Sequence, residues 1–214
     1  SYYKGECKDD KAYGHGELHL ANGDKYIGDF VNDSLTGKGD YTWANGHEYV
    51  GDLKGGIMHG QGTYRIPADD NNPEEYWTGR FQNGFISGQA KWFVDNQLRY
   101  EGEFQNDLEN GYGRYYTKDL QYGYYEGEFK DGEKHGIGFD TTATHSFRGE
   151  FVKGAWFKGT FLHVKGYSWQ GDFGYCNSEV LFTVANGYGI WDNGDGSKFI
   201  GKFFHRKKIF SHGF

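Results

Sequence analysis

The stretch Tyr26-Ile-Gly-Asp-Phe30, continued by Gly37-Lys-Gly-Asp-Tyr41 and closed by Asn45-Gly46, decides the fold of this 214-residue chain. Aromatic residues and glycines alternate with mostly polar residues at a period of two, which is the period of a β-strand. We therefore expect two strands, each with one face of aromatics and glycines and one wet face. Asn-Gly between such runs is a strong hairpin signal, because both central residues of the tight turn need positive φ. The stretch predicts one antiparallel β-hairpin.

The same pattern recurs through the whole chain at steps of 22 to 30 residues, most often about 23. The copies begin at Tyr3, Tyr26, Tyr49, Trp77, Tyr100, Tyr125, Phe147, Trp169 and Phe199. A single hairpin is only marginally stable in water, and stacking against neighbours supplies the buried face. We therefore expect an all-β fold: an elongated, single-layer antiparallel sheet of about eight or nine stacked hairpins, twisted like a solenoid ribbon.

The copies are not equally regular. The copy from Trp77 has Ala90 where the second glycine of Gly-x-Gly belongs, and the copy from Phe147 lacks that pair. We expect residues 1–214 to form one repeat array, with regular repeats at 3–146 and degenerate repeats or a cap at 147–214. A glycine within a strand usually marks the close approach of another group. The neighbouring aromatic ring is the natural occupant of that space.

Composition excludes several classes of protein. The chain has 36 Gly, 18 Tyr, 18 Phe and 6 Trp but only 2 Pro, which fits neither disorder nor collagen nor a helical bundle. No apolar run reaches the roughly 18 residues of a membrane-spanning helix. A net charge of −7 argues against broad nucleic-acid binding. Cys7 and Cys176 form neither a metal spacing nor a disulfide framework, which favours a reduced, cytoplasmic location.

The sequence contains no set of residues that we would assign to catalysis or to cofactor binding. The Gly-x-Gly pairs lack the following helix and the Gly-Lys-Ser/Thr of a phosphate loop. His59 and His135 occupy the same repeat position, as do the carboxylates of Asp29 and Asp52, so both are better explained as repeat features than as metal ligands or paired acids. We predict that the chain is not an enzyme and holds no cofactor or metal.

Tyr-x-Gly-x-Phe, Gly-x-Gly-x-Tyr and Asn-Gly in fixed phase resemble the MORN repeat, and the resemblance covers nearly the whole chain. It implies stacked β-hairpins. Proteins with such repeats often act in cytoskeletal and ciliary structures, including axonemal spokes. Other members are linked to membranes and phosphoinositides, or carry the repeats in front of a lipid-kinase or methyltransferase domain.

Three regions are candidate binding sites. The aromatic face is the first, and its half-covered rings either dock a partner, such as a helix laid in the groove, or pack only on one another. Its candidate residues are Tyr41, Trp43, Tyr64, Trp92 and Tyr115. The terminal strands are the second, since unpaired strand edges attract a partner strand or a second copy. The third is a basic patch of Arg206, Lys207 and Lys208, suited to an anionic partner or to weak membrane contact.

These observations predict a non-catalytic scaffold within a multi-subunit complex, which the resemblance places in the cytoskeleton or a ciliary axoneme, as in a radial-spoke-type assembly. The alternative is a peripheral membrane or phosphoinositide-associated module, or the regulatory repeat domain of a larger enzyme. A third interpretation is carbohydrate binding by the aromatic ladder. No nucleic-acid partner is expected.

Overall fold

The fold is built from β-strands alone in the residues that the computed structural model describes, which are 1–117, 123–174, 184–204 and 207–208. The chain divides into two compact units, Ser1–Leu108 and Glu109–Phe214. The first unit contains β1 (Tyr2–Lys8), β2 (Lys11–His19), β3 (Lys25–Val31), β4 (Ser34–Thr42), β5 (Glu48–Lys54), β6 (Ile57–Ile66), β7 (Glu75–Gln82), β8 (Phe85–Val94) and β9 (Gln97–Gln105). The predicted all-β fold class is confirmed.

The second unit continues the pattern, with β10 starting one residue before its boundary. Its strands are β10 (Leu108–Tyr116), β11 (Gly123–Lys130), β12 (Glu133–Thr142), β13 (His145–Val152), β14 (Ala155–His163), β15 (Ser168–Gly174), β16 (Val184–Asp192), β17 (Lys198–Phe204) and β18 (Lys207–Lys208). Within each unit, strands that follow one another in the chain pair antiparallel. Every repeat is therefore a hairpin that pairs with the neighbouring hairpins of its unit.

Strand register places glycine opposite glycine across each unit. Gly28 lies opposite Gly16 on one side and Gly39 on the other, and Gly51 lies opposite Gly39 and Gly62. The one substitution in this row, Ala90, lies opposite Gly79. In the second unit the row runs Gly113, Gly127, Gly138, Gly149, Gly159, Gly171, Gly189 and Gly201. The in-phase glycines of the sequence thus form one continuous row in each unit.

An aromatic row lies beside the glycine row on the same face. In the first unit it consists of Tyr3, Leu18, Tyr26, Tyr41, Tyr49, Tyr64, Trp77, Trp92 and Tyr100. In the second unit it consists of Tyr115, Tyr125, Asp140, Phe147, Phe161, Trp169, Trp191 and Phe199. Residues directly opposite each other in an antiparallel pair share a face, so each row forms a ladder of side chains across its unit.

The core lies along the glycine row, where the first aromatic of six repeats is buried, namely Tyr26, Tyr49, Tyr100, Tyr125, Phe147 and Trp169. Tyr26 is 0% exposed, and a methyl group added to Gly39 would overlap its ring. The Tyr26 hydroxyl donates a hydrogen bond to the Asp29 carbonyl oxygen at 3.1 Å. Burial is the main reason that the pKa of Tyr26 is raised to about 12. The predicted glycine slot is confirmed, and its occupant is the tyrosine of the same repeat.

The fifth residue of the motif joins successive repeats. Phe30 packs edge-on against the Tyr26 ring at 5.2 Å and against Tyr3 of the preceding repeat at 5.0 Å. Phe151 packs in the same way on Phe147 at 5.2 Å and on Tyr125 at 4.8 Å. Such edge-to-face pairs add to the free energy gained by burying the rings. The core is therefore one line of alternating rings along each unit.

The first glycine of each Gly-x-Gly pair has a different role from the second. The register with β5 places Gly37 opposite the core residue Leu53, on the predicted face, but the backbone at Gly37 directs a Cβ toward the other face. Gly37 has φ of +68°, and a Cβ there would lie 3.0 Å from Oδ2 of Asp29, which belongs to the polar face. The register shifts at this point, between Gly28 and Phe30 of the paired strand, so β4 bulges by two residues. Backbone conformation requires the first glycine, and the tyrosine ring requires the second.

The tight turns also lie elsewhere than predicted. At Asn22-Gly23 and Asn45-Gly46 only the glycine has positive φ, of 97° and 85°, and these segments close longer links between repeats. The two-residue turns lie inside each repeat instead. In Asn32-Asp33, for example, both residues have positive φ, of 50° and 67°. The hairpin was predicted correctly, but its turn was assigned to the wrong end of the repeat.

Replacing Gly39 with Ala should lower the free energy of unfolding by about 1–3 kcal/mol, because the added methyl group overlaps the ring of Tyr26. Asp40→Ala changes the next, exposed residue of the same strand and should cost much less. Chemical denaturation measures both. In a Tyr26→Leu background, the cost of Gly39→Ala should shrink, and an undiminished cost would contradict the slot.

Gly55 offers a test of the turn. It has φ of +61°, a Cβ added to it would meet no other atom within 4 Å, and related turns begin with Asn32 or Asn83. Gly55→Asn should raise the free energy of unfolding by up to about 0.5 kcal/mol, because asparagine tolerates this conformation and restricts the unfolded chain. Gly55→Val should lower it by about 1–2 kcal/mol. Equal thermal stability of the two variants would contradict the turn assignment.

Candidate interaction surface

A continuous line of half-buried rings runs along the aromatic face of the first unit. We call this line the aromatic strip, and its members are Tyr41, Trp43, Tyr64, Trp77 and Trp92. Ring centroids are 4.7 Å apart for Tyr41 and Trp43, 5.7 Å for Trp43 and Tyr64, 6.2 Å for Tyr64 and Trp77, and 6.1 Å for Trp77 and Trp92. All five are of intermediate exposure, in contrast to Tyr26 and Tyr49 at 0%.

The polar tips of three strip residues are each held by a side chain 17 positions earlier. The Tyr41 hydroxyl donates to the Asp24 carboxylate at 2.7 Å. The Tyr64 hydroxyl lies 2.6 Å from Nδ1 of His47. Nε1 of Trp92 donates to the Glu75 carboxylate at 3.1 Å. These contacts orient the rings while leaving part of each accessible.

The three holding residues were missed by sequence reasoning, although a signal existed. Asp24 and His47 both follow the Asn-Gly of a link, and each precedes its aromatic partner by 17 residues. The residue type at this position differs from repeat to repeat, so a motif search for one residue type does not find it. The constant spacing of 17 residues is the remaining signal, and it can be interpreted only once the strand register is known.

Asp24 is the most constrained of the three. It is 8% exposed and accepts hydrogen bonds from the Tyr41 hydroxyl at 2.7 Å, the Ala44 backbone N–H at 2.9 Å and Nδ2 of Asn22 at 2.9 Å. The Tyr41 hydrogen bond, followed by that of Ala44, holds the pKa of Asp24 below its ordinary value. Burial, reinforced by this carboxylate, raises the pKa of Tyr41 to about 12. The pair keeps its charge state across the physiological range.

The structure brings together four of the five aromatic candidates. Tyr41, Trp43, Tyr64 and Trp92 belong to the aromatic strip, which Trp77 completes. Tyr115 lies in the second unit, where it is half-buried opposite Tyr125. The rings thus share the predicted face of their strands, and their role as a partner-binding site stays a prediction.

The comparison with known families agrees with this geometry. A family model described as MORN repeat matches residues 3–25, 26–48, 49–70, 100–120 and 125–139. The chain belongs to the MORN-repeat family. MORN repeats are in general protein-interaction or membrane-interaction modules, and the repeat itself is a non-enzymatic module. Among curated proteins, none matches this chain.

The basic candidates of this MORN-repeat protein are only partly described. Arg206 lies outside the described residues. The backbone of Lys207 and Lys208 forms the short strand β18, which pairs with Phe204 and Phe203 of β17. Nothing in this geometry tests their predicted contact with an anionic partner.

On the reverse face of the MORN sheet, in-phase carboxylates accept hydrogen bonds from backbone N–H groups. Oδ2 of Asp52 accepts the Gln61 N–H at 2.9 Å, and Oε1 of Glu128 accepts the Ile137 N–H at 3.0 Å. The Gln61 hydrogen bond is the main reason that the pKa of Asp52 is lowered, and Lys38 adds an ion pair at 3.1 Å. These acids satisfy the N–H that follows each bulge glycine, which gives them a structural role.

The in-phase histidines also have a structural position. The backbone carbonyls of His59 and His135 accept hydrogen bonds from the hydroxyls of Tyr49 and Tyr125, at 3.1 and 3.2 Å. In the described ranges, no group of three or more His, Cys, Asp or Glu side chains is arranged to hold a metal ion. The same ranges contain no helix long and apolar enough to cross a membrane.

Tyr41→Phe should raise the pKa of Asp24, because it removes the hydrogen bond that most stabilises the carboxylate. The carboxyl of Asp24 has a lower pKa in the folded protein than in the unfolded chain. Its ionised form therefore stabilises the fold at any pH above the unfolded-chain pKa, and this stabilisation is lost as the pH falls through the folded-state pKa. The variant should therefore begin acid unfolding at a higher pH. NMR titration of the Asp24 carboxyl and pH-dependent melting measure the two effects.

Tyr64→Phe is the matched control for this test, since it removes the equivalent hydroxyl beside His47. Tyr64→Phe should leave the pKa of Asp24 unchanged. If Asp24 keeps its depressed pKa in Tyr41→Phe, then the Ala44 and Asn22 contacts are sufficient and the assigned cause is wrong.

Proposed function

We propose that this protein is a non-catalytic scaffold that docks a partner protein on the aromatic strip within a multi-subunit assembly. The observation that carries the proposal is a line of five half-exposed rings, three of which are held at their polar tips. Tyrosine and tryptophan dominate binding hot spots, because they offer large contact areas with few rotatable bonds. A strip whose tips are already held loses little further entropy on binding.

The chemistry beside the strip favours a protein segment over an anionic membrane surface. The carboxylates of Asp24 and Glu75 flank the strip rings. The link that follows β6 also contains Asp69 and Asp70, and its Glu74 is already paired with Arg65. Acidic groups repel anionic lipid headgroups and attract Lys and Arg. The partner we propose is an amphipathic segment, such as a helix, with apolar side chains against the rings and basic side chains toward these acids.

We place this scaffold in the cytoplasm, at the cytoskeleton or in a ciliary axoneme. Support for this setting comes from the resemblance of the repeat to those of cytoskeletal and ciliary proteins. The net charge of −7 is consistent with a protein partner that carries basic segments. Weak membrane contact through the basic C-terminal residues remains the alternative, to be separated by the experiment below.

Site-specific photocross-linking tests the docking surface. The photoreactive residue p-benzoylphenylalanine is placed at Trp43 or Trp92 of the aromatic strip, and at Val50 of the reverse face as the control. Val50 is 52% exposed, so a reactive group there reaches any partner on that side. Irradiation in native extract followed by mass spectrometry should give the same protein adduct from positions 43 and 92, with far less from position 50.

Trp43→Ala supplies the matched affinity measurement for the identified partner. Loss of a central aromatic contact should weaken binding about 30-fold or more, in line with hot-spot truncations of 2 kcal/mol or more. Melting should change less than for Tyr26→Ala, which removes a core ring. Adducts from position 50 alone would contradict the docking surface, and adducts to lipid would favour the membrane alternative.

A further inference from the structure

A short line of exposed apolar residues lies in the first unit, at the edge formed by the two-residue turns. Each member directly follows one of these turns, and we call the line the turn ridge: Ile57, Phe85 and Leu108, which are 52%, 48% and 47% exposed. The same position is polar in the repeats on either side, where Ser34 and Glu133 follow the turn. Single exposed apolar residues are common on any surface, whereas a bounded row of them marks an interaction site.

Strand register places the turn ridge on the face opposite the core. Phe85 lies opposite Gln82, which directly follows the buried core residue Phe81. Side chains alternate between the two faces along a strand, so Phe85 lies on the reverse face. Ile57 lies opposite Lys54 in the equivalent turn. The turn ridge and the aromatic strip therefore lie on opposite faces of the sheet.

Hydrogen bonds between successive repeats fix the turns that carry the ridge. The Gly84 N–H donates to the Met58 carbonyl oxygen at 2.9 Å, and the Ile86 N–H donates to Oδ1 of Asp107 at 2.7 Å. A Cβ added to Gly84 would lie 3.5 Å from Cγ2 of Ile57, so the first ridge side chain reaches the next turn. A surface that is already ordered loses little entropy when a partner binds.

Two exposed cations, Lys54 and Arg80, flank the ridge on the reverse face. Lys54 lies directly opposite the first ridge residue, and Arg80 lies two residues before the strand partner of Phe85. Within the described ranges, neither cation forms an ion pair. The acid nearest to Lys54 along its strand, Asp52, is already paired with Lys38 at 3.1 Å.

The two turns beside these cations carry no charge. They are Gly55-Gly56 and Asn83-Gly84, whereas the neighbouring turns, Asn32-Asp33 and Asn106-Asp107, each contain an acid. The part of the ridge from Ile57 to Phe85 therefore combines exposed apolar side chains with uncompensated positive charge. Such a surface is complementary to a segment that is both apolar and acidic.

The spacing of the ridge matches one side of an α-helix. Neighbouring strands lie about 4.8 Å apart and each repeat contributes two, so successive ridge residues are about 9.6 Å apart. Seven residues of an α-helix rise about 10.5 Å. Apolar side chains at every seventh position of a helix can therefore meet the ridge residues in turn, and about 15 helical residues span all three.

We propose that the turn ridge is a second docking surface, which binds an acidic amphipathic helix of a partner protein. Its apolar side chains pack on Ile57, Phe85 and Leu108, and its carboxylates pair with Lys54 and Arg80. Three half-exposed side chains offer far less area than the roughly 800 Å² per partner of a stable interface, which argues against a dimer held by the ridge alone. With a basic segment on the aromatic strip, the first unit joins two segments of opposite charge.

A synthetic helix tests the ridge on the full 214-residue chain. The probe is a fluorescent peptide of about 21 residues, with leucine at every seventh position, glutamate beside each leucine and alanine elsewhere. A peptide of the same composition in shuffled order is its control. Fluorescence anisotropy should show saturable binding of the probe, and binding of the shuffled peptide about tenfold weaker or less.

Variants of the ridge assign this binding to its residues. Phe85→Ser, and Lys54→Glu combined with Arg80→Glu, should each weaken the probe about tenfold or more. Val50→Ser and Lys11→Glu are the matched controls, because they change an exposed apolar residue and an exposed cation outside the ridge. Both should leave the dissociation constant within about twofold of the parent. Circular dichroism melts show that each variant stays folded.

The outcome is independent of the aromatic strip, since Trp43→Ala should leave binding of the acidic probe unchanged. Equal binding of the shuffled peptide, or probe binding that the ridge variants do not weaken, would overturn the proposal. Two other occupants would also overturn it if the ridge variants abolish their binding while the probe does not bind. They are vesicles of phosphatidylcholine and phosphatidylserine, measured by co-sedimentation, and a second copy of the chain, measured by analytical ultracentrifugation.

Discussion

The close contact between a tyrosine ring and two glycines is the constraint on which the rest of the structure depends. The Tyr26 ring lies over Gly28 and Gly39, where any side chain would overlap it, and the same motif recurs at Tyr49 with Gly51 and Gly62. Glycine in a strand lowers stability by itself. Here it lets a large ring lie flat on the backbone, so that a single-layer sheet gains a buried core.

That core also explains how successive repeats adhere. The rings of Tyr125, Phe147 and Trp169 each contact the fifth residue of their own repeat and that of the next repeat. Stability in such a stack is a sum of repeat and nearest-neighbour contributions. The buried rings of Tyr26 and Tyr49 lie on the first strands of their hairpins. The rings of Tyr41, Tyr64 and Trp92 on the second strands stay half-exposed, as does Trp77 on the first strand of its hairpin.

Much of this organisation follows from the chain alone. The period of two, the fixed phase of Tyr, Gly and Phe, and the regular spacing determined an antiparallel all-β repeat protein, the common face of Tyr41, Trp43, Tyr64 and Trp92, and the glycine slot. Such features depend on local alternation, which one strand records completely. The structural roles of His59 and the in-phase carboxylates could be inferred as repeat features, although their hydrogen-bond partners could not.

Only the tertiary structure decided where a strand bulges and what lies across the sheet. The bulge at Gly37 and the two-residue turn at Asn32-Asp33 depend on register between strands, so local sequence did not show the bulge and assigned the turn to the wrong residues. The Asp24–Tyr41 contact joins residues 17 positions apart that meet through strand pairing. Sequence determines which face a side chain occupies, whereas the fold determines which side chains meet there.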